Sequence, residues 1–443
     1  MTTNNPSQLK TILENLEVDI LARDTGFVLR QSRKIDTTAF ISSFYQMMVS
    51  GKFSLRLWAS NLSRMNGTSI SFQAIAKKLD FRQEPFFHAF FQKALMTKIQ
   101  DRLNFKVNIM LQSFHRVIIE DSTCFKLPKG LFDFFPGARS PNGRVAGGRL
   151  QLRIELKKNT YDAIAIQSYC QNDKSFANDI LHTLQRDELV IRDLGYWAIP
   201  VFSQIIRRGA YFLSRLQLGT SLLRPETQEI IDLISFLKKK EQRGIKQVDI
   251  PVLLSDKYRV PVRLVAIKLT NEQTQIRRRV AKDQRHKDTP ISDKAFYLMS
   301  WNLFVTNVKE NIWDVQSVYS VYNLRWHIEM IFKCWKSKFN FNEFFKHCYG
   351  KNPVKPEIIL LLILSWFVNI YVPRFNACAK EVWRKYHRIL SPMKFADYIR
   401  SQISLLMKFD FQKLLPAMAY YCCYDRRKDR LSHFEKLYMN FLS

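Results

Sequence analysis

Residues 322–336 gather side chains able to hold a phosphate, a metal ion or a base. On an α-helix at about 100° per residue, Tyr322, Arg325, Trp326, Glu329, Lys333 and Lys336 share a stripe roughly 100° wide. Leu324, Ile328, Ile331 and Trp335 fall on the other side and predict a buried face. The stripe has a bland reading, a solvated charged face with ions paired four residues apart, such as Arg325 with Glu329 or Glu329 with Lys333. The two aromatics favour a functional one, because rings interleaved with Arg and Lys suit stacking on bases and clamping phosphates. Two more acids stand out. Asp121 and Asp193 each close a short apolar run and so fall at the C-terminal ends of predicted strands, where open α/β sheets place their sites.

The elements that must position these residues follow from the periodicity. Residues 1–110 read as helical. Phe72, Ile75, Ala76 and Leu79 recur at helical spacing, a polar stretch covers 80–84, and a second helix is predicted over 85–95. This is either a helix-turn-helix that grips DNA or an ordinary helical pair. Residues 116–120 predict a buried strand, and 127–148 a loop. Leu150, Leu152, Ile154 and Leu156 alternate with polar residues in a second strand; a third covers 162–168 after a turn at Lys158 and Asn159. Helix (176–184), strand (188–192), helix (198–207) and strand (211–216) complete the series. Residues 218–296 interrupt it with two strands (250–254 and 260–267) and a polar, basic stretch (276–287), read together as a mainly β insertion. A strand returns at 296–305, and the chain is chiefly helical beyond about residue 313.

Bulk properties narrow the function. Lys and Arg number 69 against 39 Asp and Glu, a net charge of +30 over 443 residues. The excess runs along the whole chain, and such self-repulsion is best tolerated by a partner of nucleic acid. Hydrophobic residues reach 47%, with 34 Phe and only 13 Gly and 15 Pro, so a disordered chain is excluded. The seven Cys form no CxxC pair, which argues against a structural zinc site and for a reduced, cytoplasmic setting. The N-terminus has no apolar signal core. The apolar run at 358–372, with Ser365 and Asn369 inside it, is shorter than the roughly 20 residues of a membrane span and reads as a core helix.

The pattern Tyr322-x-x-Arg325-x-x-x-Glu329, with Lys336 further along, resembles the Tyr-Arg-Glu-Lys signature of bacterial DDE transposases of the insertion-sequence-four family. Asp121-Ser122-Thr123 is similar to the family's first Asp motif, and Arg192-Asp193-Leu194-Gly195-Tyr196 to its second. The resemblance covers roughly residues 50–375 and implies an α/β fold: a ribonuclease-H-like catalytic core (111–217 and 297–345) carrying the β-rich insertion (218–296). A helical DNA-binding domain (1–110) and a helical, possibly dimerising C-terminal region (346–443) would flank it. It implies that Asp121, Asp193 and Glu329 are the catalytic residues and hold two Mg²⁺ ions, replaceable by Mn²⁺, for cleavage at transposon ends and strand transfer into target DNA. It also implies contacts from Tyr322, Arg325 and Lys336 to phosphates near the transposon end. Lys333 and Trp326 join them as DNA contacts by sharing the stripe. Trp301 is the tryptophan nearest the place where the family stacks a flipped base beside a DNA hairpin. The expected partners are double-stranded DNA (terminal inverted repeats and target) and a second copy of the chain, in a bacterial cytoplasm near the nucleoid, with no membrane. The rival is a catalytically inactive or repurposed sequence-specific DNA-binding protein; the presence of all three acids argues against it.

Overall fold

The computed structural model describes residues 8–29, 35–100, 109–138, 141, 143–158, 160–283, 291–348, 350–401 and 411–425. Parts of the expected basic stretch (284–290) and C-terminal region (426–443) lie outside the described residues. The described strands form one nine-stranded sheet in the order β3-β2-β1-β4-β5-β9-β8-β7-β6. β1 (Val117–Leu127) pairs antiparallel with β2 (Ala146–Glu155), and β2 antiparallel with β3 (Thr160–Ser168). β4 (Leu189–Arg192) and β5 (Tyr211–Arg215) are parallel to β1 and to each other. β4 is buried along its whole length, as its continuous apolar run requires of a parallel strand covered on both faces.

Alternation along the strands sends side chains into two cores. Val117, Ile119, Leu189 and Ile191 face a large core shared with the N- and C-terminal helices. Ile118, Val190 and Phe212 face a second core against the helix Ile199–Arg207. Asp121 and Asp193 keep the parity of the first set, so both emerge on the side of the large core.

Several expectations are corrected. β1 does not stop before Asp121. It continues to Leu127 because β2 goes on pairing with it, from Ser122 opposite Gln151 to Leu127 opposite Ala146. Asp121 is therefore in mid-strand, yet it lies one residue past the last β1–β4 pair, Glu120 opposite Arg192. The helix predicted over 176–184 is instead a single turn, Asp173–Phe176, and a 3₁₀ turn, Asp179–His182. Phe296 lies in the helix Asp293–Leu298, and the returning strand β9 spans Trp301–Thr306.

Residues 218–296 contain β6 (Leu222–Leu223), β7 (Gln247–Leu254) and β8 (Val260–Lys268), but also the helices Leu233–Gln242 and Asn271–Asp283 besides Asp293–Leu298. Its strands are no separate sheet: β8 pairs with β9, which pairs with β5.

The second helix of the N-terminal pair, Glu84–Gln100, buries Phe86, Phe87, Phe90 and Phe91 and packs on the helix Val354–Trp366. That apolar surface is covered by the protein. The apolar run near 358–372 belongs to a continuous helical stretch, Val354–Tyr386, of 33 residues. Length alone would let it cross a membrane, contrary to the expectation, but 89% of its apolar window is buried inside the protein. Its polar residues are used there: the Tyr45 hydroxyl donates to Ser365 (2.9 Å), and the Asn369 amide reaches Tyr45 (3.5 Å).

β1 and β2 approach closely at Gly148, where an added Cβ would overlap the ring of Phe125. That ring is pinned by stacking on Phe345, with centroids 4.4 Å apart, and by the edge contact of Phe341. Gly148→Ala should cost about 1–3 kcal/mol, the usual penalty of overpacking a filled core. Calorimetric melting would show a lower midpoint; an unchanged midpoint would mean that the ring is free to move.

Candidate active site

Three carboxylates from three separate elements meet at one guanidinium. Asp121 comes from the middle of β1, Asp193 from the residue after β4, and Glu329 from the first turn of the helix Trp326–Lys338. Arg325 Nη1 lies 3.1 Å from Asp121 Oδ2 and 3.9 Å from Asp193 Oδ2, and its Nη2 lies 2.5 Å from Glu329 Oε1. Tyr322 donates its hydroxyl to Asp193 Oδ1 at 3.1 Å. The backbone N–H of Ser122 donates to Asp121 Oδ1 at 2.8 Å.

Local structure explains the convergence. Residues 322–336 are not one uniform helix. The helix Val315–Tyr322 passes through a 3₁₀ turn, Asn323–Arg325, before Trp326–Lys338 begins. A 3₁₀ turn eclipses residues three apart, which lines Arg325 up with Tyr322. Both are buried, at 9% and 5% exposure, and turn toward the sheet rather than outward. Arg325 then reaches Glu329 at the helical i,i+4 spacing. Leu324, Ile328 and Trp335 form the buried backing expected of them, with Ile331 half-buried. The rest of the stripe stays outside: Trp326 is 55% exposed, and Lys333 and Lys336 are exposed. On the Asp193 side, Gly195 is needed because a Cβ there would come within 2.7 Å of Asp173 Oδ2. Asp173 cannot readily yield, since it accepts from Arg149 and Gln151.

Three negative charges against one positive leave the cluster with two uncompensated. Burial first, and repulsion from Asp193 and Glu329 second, push the Asp121 carboxyl up to about 7, against the opposing pull of Arg325 and the Ser122 N–H. Burial by itself would lower the Arg325 guanidinium, but Asp193, Glu329 and Asp121 hold it above the usual arginine range. Burial raises the Tyr322 phenol, and Asp193 raises it further. Although the Lys336 side chain as a whole is exposed, partial desolvation of its ammonium end, near Cys124 of β1, lowers the pKa of that group. Hard oxygen donors with excess negative charge, already gathered about a cation, suit divalent ions such as Mg²⁺.

Trp301 is not part of this surface. It is 2% exposed in the second core, where its indole N–H donates to the Tyr297 hydroxyl at 3.4 Å and Lys268 lies 5.2 Å above its ring. Strand alternation is the reason: Asn302 and Phe304 face the site, and Trp301 faces away. The sequence reading also missed residues that the fold brings to the site. A cavity of 590 Å³ adjoins the carboxylates, and Arg215, Arg277, Asn302, Phe304 and Tyr319 line it together with Trp326. Arg277 donates to the carbonyls of Met299 and Trp301 and to Asn302 Oδ1, all neutral acceptors. The only signal for it was the basic stretch at 276–287. Elsewhere, Glu84, His88 and Glu357 bring ligand atoms within 4.8 Å of one another. His88 lies 2.9 Å from Glu357, tying two packed helices, and that hydrogen bond raises the His88 pKa.

Residues 112–367 match the family described as Transposase DDE domain, more than half of the chain. The chain belongs to the DDE transposases. It is 28% identical to the transposase of insertion sequence element IS231F from Bacillus thuringiensis subsp. israelensis, over 89% of this chain and 84% of that protein. Against the IS231B transposase of Bacillus thuringiensis subsp. berliner the identity is again 28%, over 87% and 82%. The IS1151 transposase of Clostridium perfringens is also 28% identical, over 74% and 72%. Among solved structures, a piggyBac transposase synaptic complex with hairpin DNA aligns over 96% of this chain and 86% of that one, at 10% identity and a TM-score of 0.41, too distant to carry an argument. The DDE transposase is thus an enzyme of DNA transposition, with nuclease and strand-transfer activity.

Arg325→Ala would leave three carboxylates facing one another without a counter-charge. Breaking a fully buried pair costs about 3–5 kcal/mol. Asp193 and Glu329 are each 36% exposed and screened by solvent, so about 2 kcal/mol is expected for the metal-free transposase. Denaturant unfolding in chelator measures it, and a variant as stable as the parent would show that the guanidinium is not the counter-ion of the cluster.

Proposed function

We propose that Asp121, Asp193 and Glu329 are the catalytic carboxylates of this transposase and together hold two divalent ions, normally Mg²⁺, with Mn²⁺ able to substitute. The observation that carries this reading is their convergence on Arg325 from three separate elements. Asp121, Asp193 and Glu329, all within 3.9 Å of one guanidinium, would supply the oxygen ligands of the ions. Bound there, the ions would supply activation of the attacking oxygen and stabilisation of the leaving one in an in-line displacement. The protein's own groups do the rest. The Tyr322 hydroxyl holds Asp193 in place, and Arg325 keeps the carboxylates together until metal competes for them and a DNA phosphate for its guanidinium. Lys333, Lys336 and Trp326, exposed along the outer stripe, are left to meet the DNA backbone and bases.

The scaffold supports a ribonuclease-H-like core. Three consecutive antiparallel strands lead to two parallel ones, with Asp121 and Asp193 on one face. In this reading 218–296 is an insertion that prolongs the sheet, 1–110 supplies DNA binding, and 346–443 contributes to pairing of two subunits. The partners are the element's terminal inverted repeats and target DNA, both double-stranded. Two ends must be brought together, which calls for a homodimer. The setting is a bacterial cytoplasm, close to the nucleoid. A hairpin's flipped base would have to stack elsewhere than on Trp301, and exposed Trp326 at the mouth of the cavity offers the accessible ring.

Asp193→Ala and Glu329→Ala should each abolish Mg²⁺-dependent cleavage of the element's end DNA while leaving binding in a mobility-shift assay nearly intact. Normal cutting by either variant overturns the assignment. The raised pKa of Asp121 adds a pH dependence. Below about 7 the proton competes with metal; above it the carboxylate is free. Mn²⁺ affinity should therefore be about 10-fold weaker at pH 6 than at pH 8, because metal must displace one proton from Asp121 and apparent affinity falls about tenfold per pH unit below the pKa. Equal affinities at the two pH values would remove Asp121 from the site.

A further inference from the structure

A buried polar cluster occupies the face of the sheet opposite Asp121 and Asp193. Its centre is Glu120, 1% exposed, with Arg192 at 0% and Arg153 at 1%. Arg192 Nε donates to Glu120 Oε2 at 2.6 Å, and Arg153 Nε donates to Glu120 Oε1 at 2.6 Å. Arg153 also reaches Asp179 at 2.6 Å, and Arg192 donates to the carbonyl of Ala177 at 2.8 Å. These residues are not scattered. Glu120 is directly opposite Arg192 across the parallel pair and directly opposite Arg153 across the antiparallel one. One carboxylate thus ties β2, β1 and β4 together at a single level. The very next residues along β1 and β4 are Asp121 and Asp193.

We propose that Glu120 and Arg192, braced by Arg153, are positioning residues that set the spacing of the Asp121 and Asp193 carboxylates for divalent metal. The proposal rests on the reading of those two acids as metal ligands. Stability alone does not account for the cluster, because a buried ion pair can often be replaced by packed apolar side chains at no net cost. The neighbouring positions of β1 and β4 show that apolar residues serve there, with Ile118, Ile119, Val190 and Ile191 all fully buried. What the ion pair adds is direction. Apolar side chains tolerate sliding of one strand past another, whereas charged hydrogen bonds at 2.6 Å fix both separation and level. A slip of one residue would send each aspartate to the wrong face. The clamp lies one residue from each acid, so no flexible segment absorbs its displacement.

The test is a Mn²⁺ titration by calorimetry, without DNA, on the full-length chain. Glu120→Met/Arg192→Met replaces the pair with apolar side chains of similar reach and leaves Arg153 its contact with Asp179. The double variant should keep its melting midpoint within a few degrees and bind end DNA like the parent. Its Mn²⁺ affinity should fall about 10- to 100-fold, the usual effect of losing a group that orients metal ligands. Glu120→Gln, which keeps the shape, should give a smaller fall in the same direction and decides the matter if the double variant does not fold. An unchanged isotherm, with or without a lower melting midpoint, overturns the proposal and leaves the cluster a structural one. Asp193→Ala separates the two levels. If the parent's isotherm does not depend on Asp193, the metal-site reading fails and the clamp with it. If it depends on Asp193 but not on Glu120 and Arg192, only the clamp fails.

Discussion

The parallel pairing of β1 with β4 is the constraint on which the rest of the site depends. Consecutive residues of a strand point to opposite faces, so one register decides both what is buried behind the sheet and what stands in front of it. With Glu120 level with Arg192, the charged pair goes behind and the two aspartates come forward. Both consequences are costly to undo. Behind the sheet, a one-residue slip would leave buried arginines without a carboxylate; in front, it would bury the acids in a core.

In front of the sheet, like charges would repel if nothing stood between them. Arg325 answers this with a single guanidinium in reach of all three carboxylates. The 3₁₀ turn before the helix is what delivers it, by aligning Arg325 with Tyr322 over the strand ends. Fully ionised, the arrangement is anionic by two charges, and Asp121 holds a proton more tightly than an ordinary carboxyl. Such a cluster is stable enough to fold and still short of positive charge, as a site for divalent cations has to be.

Residues 218–296 are part of the same construction. Their strand β8 pairs with β9, which pairs with β5, and their helix Asn271–Asp283 brings Arg277 to the cavity beside the acids. Asn302 and Phe304 complete that wall from β9, and Phe304 packs on Tyr322 with ring centroids 5.0 Å apart. A segment that breaks the regular order of the chain thus supplies one side of the site.

The amino-acid sequence by itself determined most of the strands, the acids, and the polar stripe with its apolar backing at Leu324, Ile328 and Trp335. These are local properties: alternation of two or of three to four residues is carried by neighbours along the chain. The overlap of the stripe with the family signature made Tyr322, Arg325, Glu329 and Lys336 legible before any fold was known. Only the tertiary structure decided which of them turn inward. A uniform helix put Tyr322 and Arg325 on one stripe with Trp326 and Lys333, but the 3₁₀ turn and the pull of Asp121 and Asp193 separate them. It also decided that Trp301 is buried, that β1 runs past Asp121, and that Arg215 and Arg277 reach the site. Each of these depends on a partner far along the chain, such as β2 for β1 or β9 for Arg277. Periodicity tells a residue which face it takes; only pairing with a distant strand says what that face will meet.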